Sequence, residues 1–385
     1  MRKFLKLFFL FTFSCLNAQT AFHNTGNIQI HENAEIGFHT NLINDGSFDQ
    51  NLGFTGFYKK DGFLEVSGTK KVVFNDLEFD VEENLYLNNS IGIKNTALFI
   101  SGNVVTHRDI IDSTLEFLNY YVHSGEGDYT YVDGYVTSTT MDEFVFPIGD
   151  ADMLRPMILP RQESLKTYKG AYFNENPNNP STFNTSFDTS IKQNFLHKIS
   201  NVEFWDLKGN EETEITLIWN SNSNIEAITD NLNSLRVVGW DKTNNKWVDL
   251  GGKNIRGDFD NGFVQSSKFI PDNYEIITIG SDFNFVLGVE TFNSHNYAFS
   301  PNGDGINDLF VIEGIELRPN NTLKIINRWG AQVYSKKNYN NTWNGISENG
   351  TTIKKSEGLP VGVYFYFLTL HDENVTHTGY VYIMR

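Results

Sequence analysis

The segment 299–310, FSPNGDGINDLF, holds the residues of this sequence best placed to do local chemistry. Its oxygen-bearing side chains and glycines include Asn302, Gly303, Asp304, Gly305 and Asp308. Ca²⁺ prefers oxygen ligands of this kind, and the glycines would let the backbone curl around such a cation. The alternative is a polar turn in which the asparagine and aspartate side chains bond their own backbone. In both cases we expect this segment to be a rigid loop at the start of the C-terminal domain and not a catalytic loop.

No other local pattern points to catalysis. The sequence contains no nucleophile elbow, P-loop or dinucleotide-binding glycine fingerprint. Its nine histidines include no HxxxH pair. Adjacent acids such as Glu82 and Glu83 seldom face each other across a substrate. Acids from distant parts of a fold could still meet, but we expect a non-enzymatic protein with no certain cofactor, Ca²⁺ being the one candidate.

The N-terminal pattern predicts a secretory signal peptide over residues 1–18. A basic start is followed by a short, mostly apolar run, and Ala18 offers a small residue for cleavage. The alternative is a lipoprotein signal that uses Cys15, but the bulky Phe13 fits a lipobox poorly. Since Cys15 is the only cysteine, the mature protein would have no disulfide and no thiolate site.

The remaining chain is strongly acidic. The whole sequence has 30 basic and 47 acidic residues, and the first eighteen residues hold three of the basic ones and none of the acidic ones. The mature chain therefore carries a formal charge of −20, which makes nucleic acid and anionic lipid surfaces poor partners. No later segment approaches eighteen uninterrupted apolar residues, so no helix is expected to cross a membrane.

Two β-rich regions make up the body. Residues 19–135 show strands of three to five residues separated by Asn and Gly turns, which favours a β-solenoid; a meandering sandwich is the alternative. Residues 136–284 show longer alternating strands typical of a β-sandwich. Its four tryptophans are expected to fill the core, the alternative being a sugar-stacking platform. They are Trp205, Trp219, Trp240 and Trp247.

A linker over 285–296 leads to a last domain at 297–385, which has the size and strand pattern of a small immunoglobulin-like sandwich. Trp329 and Trp343 are expected to supply bulk for its core. The whole chain is therefore expected to be all-β, because no long amphipathic helix occurs anywhere in it.

Five motifs follow one another in this last domain: FSPNGDGIND, INRWGAQVY, WNG, LPVGVYFY and GYVYIMR. Together they resemble the gliding motility-associated C-terminal domain, the type B sorting domain of the type IX secretion system of Bacteroidota. The residues that carry the resemblance are Pro301, Asn302, Gly303, Asp304, Gly305, Asn307, Asp308, Asn327, Arg328, Trp329, Gly330, Trp343, Gly345, Tyr364, Tyr380 and Arg385. Asn344 and Val361 depart slightly from the family pattern.

The resemblance implies export in two steps, through the periplasm and then across the outer membrane, to the cell surface or the medium. It implies two partners, the type IX translocon and an outer-membrane protein similar to the PorP/SprF type. Arg328, Tyr380 and Arg385 are our candidate anchors for such an interface, because exposed aromatic and arginine side chains often carry binding energy.

Three functions are compatible with this organisation. The first is an adhesin-like or gliding-associated surface protein, whose ligand would be a surface glycan or another protein. The second is a carbohydrate-binding or polysaccharide-acting protein that the same domain exports. The third is an accessory component of the secretion or gliding machinery.

Overall fold

The computed structural model describes residues 21–109, 113–119, 122–283, 297–347, 358–372 and 375–384. The chain is all-β, with 50% strand and 5% helix, which confirms the predicted fold class. The proposed cleavage site at Ala18, the linker 285–296 and Arg385 lie outside the described residues. Within the described ranges, none of the helices is both long enough and apolar enough to cross a membrane.

The chain divides into two compact units, Met1–Leu154 with Arg161–Ala171, and Arg155–Pro160 with Tyr172–Arg385. The boundaries predicted from sequence at 135 and 284 stay predictions. The first eighteen strands are β1 Ala21–Asn24, β2 Glu35–Phe38, β3 Asn41–Asn44, β4 Phe54–Lys59, β5 Leu64–Ser67, β6 Val72–Val81, β7 Leu85–Leu87, β8 Ile91–Ser101, β9 Val104–Thr106, β10 Leu115–Leu118, β11 Val122–Ser124, β12 Val132–Asp133, β13 Val136–Thr140, β14 Phe144–Phe146, β15 Ile148–Asp150, β16 Met153–Leu154, β17 Met157–Leu159 and β18 Lys166–Phe173.

The N-terminal part is a β-solenoid of about five turns, as predicted. Strands alternate along the chain between two parallel sheets, one containing β1, β3, β5, β7 and β9 and the other containing β2, β4, β6, β8 and β10. The repeat is irregular: Glu35 pairs with Phe54, 19 residues on, whereas Leu42 pairs with Val66, 24 residues on. This variation explains why no strict repeat length is visible in the sequence.

Stacked phenylalanines fill the inside of the coils. Phe38 pairs with Phe57, Phe57 with Phe79, and Phe79 with Phe99. All four are buried, and the ring centroids of Phe38 and Phe57 are 5.3 Å apart. Because each coil repeats the same residue at the same register, every ring buries its apolar area on the coil before and after it.

Buried asparagines hold the turns of successive coils together. Asn24 Nδ2 donates to Asn44 Oδ1 at 2.7 Å, and Asn44 Nδ2 donates to the Lys70 carbonyl at 2.9 Å. Since Asn44 is fully buried, these bonds also prevent its amide from being left without partners away from water. The asparagines that separate the strands in the sequence therefore do more than form turns: they also link neighbouring coils by side-chain hydrogen bonds.

The second unit begins with antiparallel sheets. Its remaining strands are β19 Leu196–Ile199, β20 Phe204–Lys208, β21 Thr216–Asn220, β22 Leu235–Asp241, β23 Lys246–Asp249, β24 Lys253–Gly257, β25 Asn261–Gln265, β26 Tyr274–Asp282, β27 Tyr297–Phe299, β28 Asn321–Ile326, β29 Gln332–Lys337, β30 Gly362–Leu370 and β31 Val375–Ile383. Its helices are the short α1 Ile225–Ile228 and single 3-10 turns at Ser221–Ser223, Leu232–Ser234, Pro271–Asn273 and Ile315–Leu317.

One sheet of this unit has the order β17-β21-β25-β24, and β20-β26-β22-β23 are neighbours in another. The four tryptophans of the central region, Trp205, Trp219, Trp240 and Trp247, are all buried. This confirms the core interpretation over the sugar-stacking platform.

A buried ion pair lies in the same region. Arg155 Nε is 3.1 Å from Glu203 Oε2, and both side chains are only 2% exposed. The Tyr172 hydroxyl donates to the same carboxylate oxygen at 2.8 Å, and Arg155 Nη2 donates to Asn220 Oδ1 at 2.8 Å. Burial, reinforced by the Glu203 charge, raises the pKa of Tyr172 well above its usual value, so this hydroxyl stays protonated.

The C-terminal domain is a five-stranded sheet with the order β27-β31-β30-β28-β29. One face is buried by side chains from the connecting segments, among them Phe310, Ile312, Tyr339, Trp343 and Leu359. A sandwich of two sheets was expected. Within the described residues, the layer that covers the sheet consists of these connecting segments and not of a second sheet. Trp343 lies in the core as predicted.

Candidate functional site

The turn between β28 and β29 is shaped by its first and last residues. Asn327 Oδ1 accepts from the backbone N–H of Trp329 at 3.0 Å and of Ala331 at 2.9 Å. Gly330 has a φ of 83°, which favours glycine, and its N–H donates to the Asn327 carbonyl. The turn therefore projects Arg328 and Trp329 away from the sheet.

Trp329 is 75% exposed, so the prediction that it lies in the core was wrong. The reason is local, because the side chain belongs to the tip of a tight turn and not to either flanking strand. The Arg328 guanidinium carbon lies 4.3 Å from the centroid of the Trp329 ring, within the range of a cation–π contact. Among the described residues, no carboxylate forms an ion pair with Arg328.

A groove of about 230 Å³ lies beside this turn, and we call it the Arg328–Trp329 groove. One wall is formed by Asn327, Arg328, Trp329 and Val333, and the other by the segment 359–364. The two walls come from the INRWGAQVY and LPVGVYFY motifs, which are about thirty residues apart in the sequence.

The second wall is held in place by hydrogen bonds. The buried Tyr364 donates its hydroxyl to the Pro360 carbonyl at 2.9 Å, and the Leu359 N–H donates to the Gly345 carbonyl at 2.7 Å. Tyr364, identified from the sequence as a motif residue, therefore shapes the groove from within the core.

Gly345 connects the WNG motif to the first motif. It has a φ of 76°, and a Cβ atom added there would lie 3.1 Å from Pro301 Cγ, closer than ordinary packing allows. The neighbouring Trp343 donates its indole N–H to the Ile346 carbonyl at 2.9 Å. Pro301, Trp343 and Gly345 are thus packing residues that place the first motif against the core.

The carboxylates of the first motif bond their own loop. Asp308 accepts from the N–H of Gly303 at 2.7 Å and of Gly305 at 2.8 Å, and these two bonds hold the pKa of Asp308 below its usual value. Asp304 accepts from the Ile306 N–H at 2.8 Å. Gly303, Gly305 and Asn307 all have positive φ.

These bonds are those expected of the polar turn, and calcium binding stays a prediction in which a cation would share both Asp308 oxygens with N–H donors. Within the described residues, no three His, Cys, Asp or Glu side chains are grouped as metal ligands would be. Asn302 donates its amide to Asp304 Oδ2 at 3.0 Å, so all three proposed ligands already belong to one network.

Tyr380, a predicted anchor, is exposed on the outer face of the sheet. It pairs with Phe365, while Tyr382 pairs with Val363. With Phe367 these residues form an exposed strip, which we call the apolar strip, and it meets the groove at Val363. Arg385, the third predicted anchor, lies outside the described residues.

Charge distinguishes this domain from the body. Residues 297–385 contain eight acidic and eight basic residues, so the domain is formally neutral, and residues 19–296 carry the whole charge of −20. This difference in charge is present in the sequence, but the net charge of the whole chain does not reveal it.

A second hollow, of about 390 Å³, lies in the central region and is lined by Lys192, His197 and Lys198, with polar neighbours that include Asn201 and Asn224. We call it the lysine pocket. Partial burial and the charges of the two lysines lower the pKa of His197, while Asp230 acts in the opposite direction. Nothing in the local sequence indicated this pocket, because its lining is spread over forty residues.

Comparisons with known proteins identify the C-terminal domain. The family model of the CHU_C type IX secretion signal domain matches residues 292–383. No curated protein and no solved structure gave a significant match.

Proposed function

The chain carries a type IX secretion signal domain at residues 292–383, and we propose that the rest of it is an adhesin-like surface protein without enzymatic activity. The domain implies export and a cell-surface or secreted location, together with interaction with the secretion machinery. The observation that supports export is that this match coincides with a separate sheet with its own core.

The proposed route begins with removal of residues 1–18 at the inner membrane and passes through the periplasm. There the folded C-terminal domain meets the translocon and a PorP/SprF-type outer-membrane protein. Recognition of a folded surface avoids the entropy cost of ordering a flexible tail.

Deletion of 297–385 tests the route. We expect the truncated chain to accumulate in the periplasm, where surface-applied protease cannot reach it, while the intact chain is cleaved on the same cells. Fusing residues 292–385 to a periplasmic fluorescent reporter should bring that reporter to the surface. Normal surface display of the truncated chain would exclude the proposal.

The body supports an adhesin-like role through its construction. A solenoid and antiparallel sheets offer long, regular surfaces, and a formal charge of −20 favours solubility outside the cell. We propose a protein or glycan on another surface as its ligand, and gliding as one process it serves. Cells lacking this chain should attach or spread less than cells that carry it, with export of other proteins unchanged.

A carbohydrate-binding role is the second candidate, and the lysine pocket favours it. Lys192, His197 and Lys198 gather cationic groups beside polar side chains, within a body that is otherwise acidic. Such a pocket suits the carboxylate or sulfate of an acidic polysaccharide. Binding of the whole mature chain to an array of acidic and neutral glycans tests this, and Lys192→Ala with Lys198→Ala should abolish any acidic-glycan signal.

A role as an accessory part of the secretion or gliding machinery is the third candidate. It predicts that the chain co-purifies with the translocon in near-equal amounts after its export is complete. Passing cargo would be lost from the translocon at that stage.

A further inference from the structure

The packing of the domain does not explain why Trp329 is exposed, which points to a contact with another molecule. The side chain is 75% exposed and is not part of the buried cluster that forms the domain core. A large aromatic side chain in water contributes little to folding, and tryptophan is enriched among the residues that carry most of the energy at protein interfaces.

The Arg328–Trp329 groove is formed before any partner arrives. The Asn327 side chain fixes one wall through two backbone bonds, and the Tyr364 hydroxyl fixes the other. A preformed groove binds with little loss of conformational entropy, which favours recognition of a passing chain.

The size of the groove restricts its occupant. Its volume of about 230 Å³ is below the range of roughly 300–1,000 Å³ that is usual for small-molecule sites. The lining is mixed: the side chains of Val333, Leu359 and Val361 provide an apolar part, and Asn327 and Arg328 contribute to an equally large polar part. One inserted apolar side chain fits this space better than a cofactor or a sugar.

Charge restricts the occupant further. The Arg328 guanidinium stacks on the Trp329 ring, and no carboxylate in the described residues forms an ion pair with it. A guanidinium that lies over an aromatic ring still presents its N–H groups at the edge of its own plane, where a carboxylate can accept two of them. A carboxylate beside the inserted side chain would complete this site.

We propose that the Arg328–Trp329 groove binds a loop of a secretion-machinery protein that inserts one apolar side chain and places a neighbouring carboxylate on Arg328. The apolar strip continues the contact from Val363 towards Phe365 and Tyr380. This proposal rests on the proposed export function and assigns the surface that performs its recognition step.

Export of the whole chain in its host provides the first test, measured as the fraction that surface-applied protease cleaves. We expect Trp329→Ala and Arg328→Glu each to lower that fraction about tenfold, as loss of an interface hot spot does. Arg328→Lys should give an intermediate loss, because lysine keeps the charge but lacks the planar, stacking guanidinium.

Two matched variants control for general surface effects. Val311→Ala removes another exposed apolar side chain, and Lys337→Glu reverses another exposed charge, both in the same domain but outside the groove and the five motifs. Both should be exported normally. All five purified variants should unfold at the same temperature as the unchanged chain, which separates recognition from folding.

A photoreactive phenylalanine analogue in place of Val361 provides the second test, because Val361 lines the groove and is 54% exposed. We expect a crosslink in cells to a peptide of a secretion-machinery protein with Asp or Glu within two positions of the attached apolar residue. A crosslink to a second copy of this chain, or to a peptide without an acidic residue, would overturn the proposal.

The outcomes separate the two proposals. If the groove variants are exported normally while the chain lacking 297–385 is retained, the groove assignment is wrong and the sorting function stands. If the truncated chain also reaches the surface, the sorting function itself fails.

Discussion

In the solenoid, phenylalanines at one register stack inside the coils, whereas in the C-terminal domain aromatic side chains of β30 and β31 also point to solvent. More than half of the exposed large apolar side chains in the described ranges belong to residues 297–385, which are about a quarter of the chain. The charges divide in the opposite way, since the body carries the full excess of acid and the C-terminal domain is neutral.

This difference indicates two kinds of surface. An acidic surface with few apolar groups keeps a protein soluble and apart from its neighbours. A neutral surface with a contiguous apolar area is typical of a site that contacts another macromolecule. The C-terminal domain is therefore suited to apolar contacts with a partner, whereas contacts made by the acidic body would be mainly polar.

The largest expected effect is on the solenoid core. Phe57→Ala should destabilise the solenoid by about 3–5 kcal/mol, because it removes a ring packed between Phe38 and Phe79 and leaves a cavity. Trp329→Ala should change stability by less than about 0.5 kcal/mol, since its ring is exposed. Native-state hydrogen exchange of both variants measures the contrast, and equal losses would contradict it.

The ion pair of the central region comes next. Arg155→Leu should cost about 3 kcal/mol, because it leaves the buried Glu203 carboxylate without its cation. Adding Glu203→Gln should recover much of this loss, since glutamine is neutral and still accepts from Tyr172. Urea unfolding followed by tryptophan fluorescence measures both. A double variant as unstable as Arg155→Leu would show that the charge is not the cause.

A smaller effect is expected at Asp308, whose pKa is lowered by the N–H groups of Gly303 and Gly305. A lowered folded-state pKa gives stability that is present above the ordinary aspartate pKa and is lost as the pH falls through the folded value. The unfolding temperature of Asp308→Asn should therefore be slightly below that of the unchanged chain at pH 7. The two should converge as the pH falls below about 4. A difference that is independent of pH would show that ionisation of Asp308 contributes nothing.

The smallest expected effect is that of calcium. Because both Asp308 oxygens already accept backbone N–H groups, 1 mM Ca²⁺ should change the unfolding temperature of the C-terminal domain by less than about 1 °C. Calorimetry in calcium and in chelator measures this. A shift of several degrees that disappears in Asp304→Asn would support the calcium-loop interpretation.

Sequence patterns sufficed for the features that depend on neighbours along the chain. Short strands between Asn and Gly turns predicted the solenoid, and alternation predicted buried tryptophans in the central sheets, since both follow from which face a residue occupies. The motifs of the last domain identified the sorting signal in the same way.

Features that depend on distant residues were not visible. Arg155 and Glu203 are 48 positions apart, and the two walls of the Arg328–Trp329 groove come from motifs about thirty residues apart in the sequence. Trp329 was assigned to the core because tryptophan is usually buried, and only the bonds made by Asn327 show that the turn points it outwards. Periodicity gives the face of a strand but says nothing about the tip of a turn.

The place of β31 between β27 and β30 has a consequence for timing. Tyr297–Phe299 begins the domain and pairs with Val381–Ile383, almost at its other end, so the sheet stays open until those last residues have been made. A chain that terminates before Val375 lacks the strand that joins β27 to the rest, and its groove would be presented on an unfinished sheet. Such a chain would also lack Tyr380 and Tyr382, which lie on β31 and belong to the apolar strip.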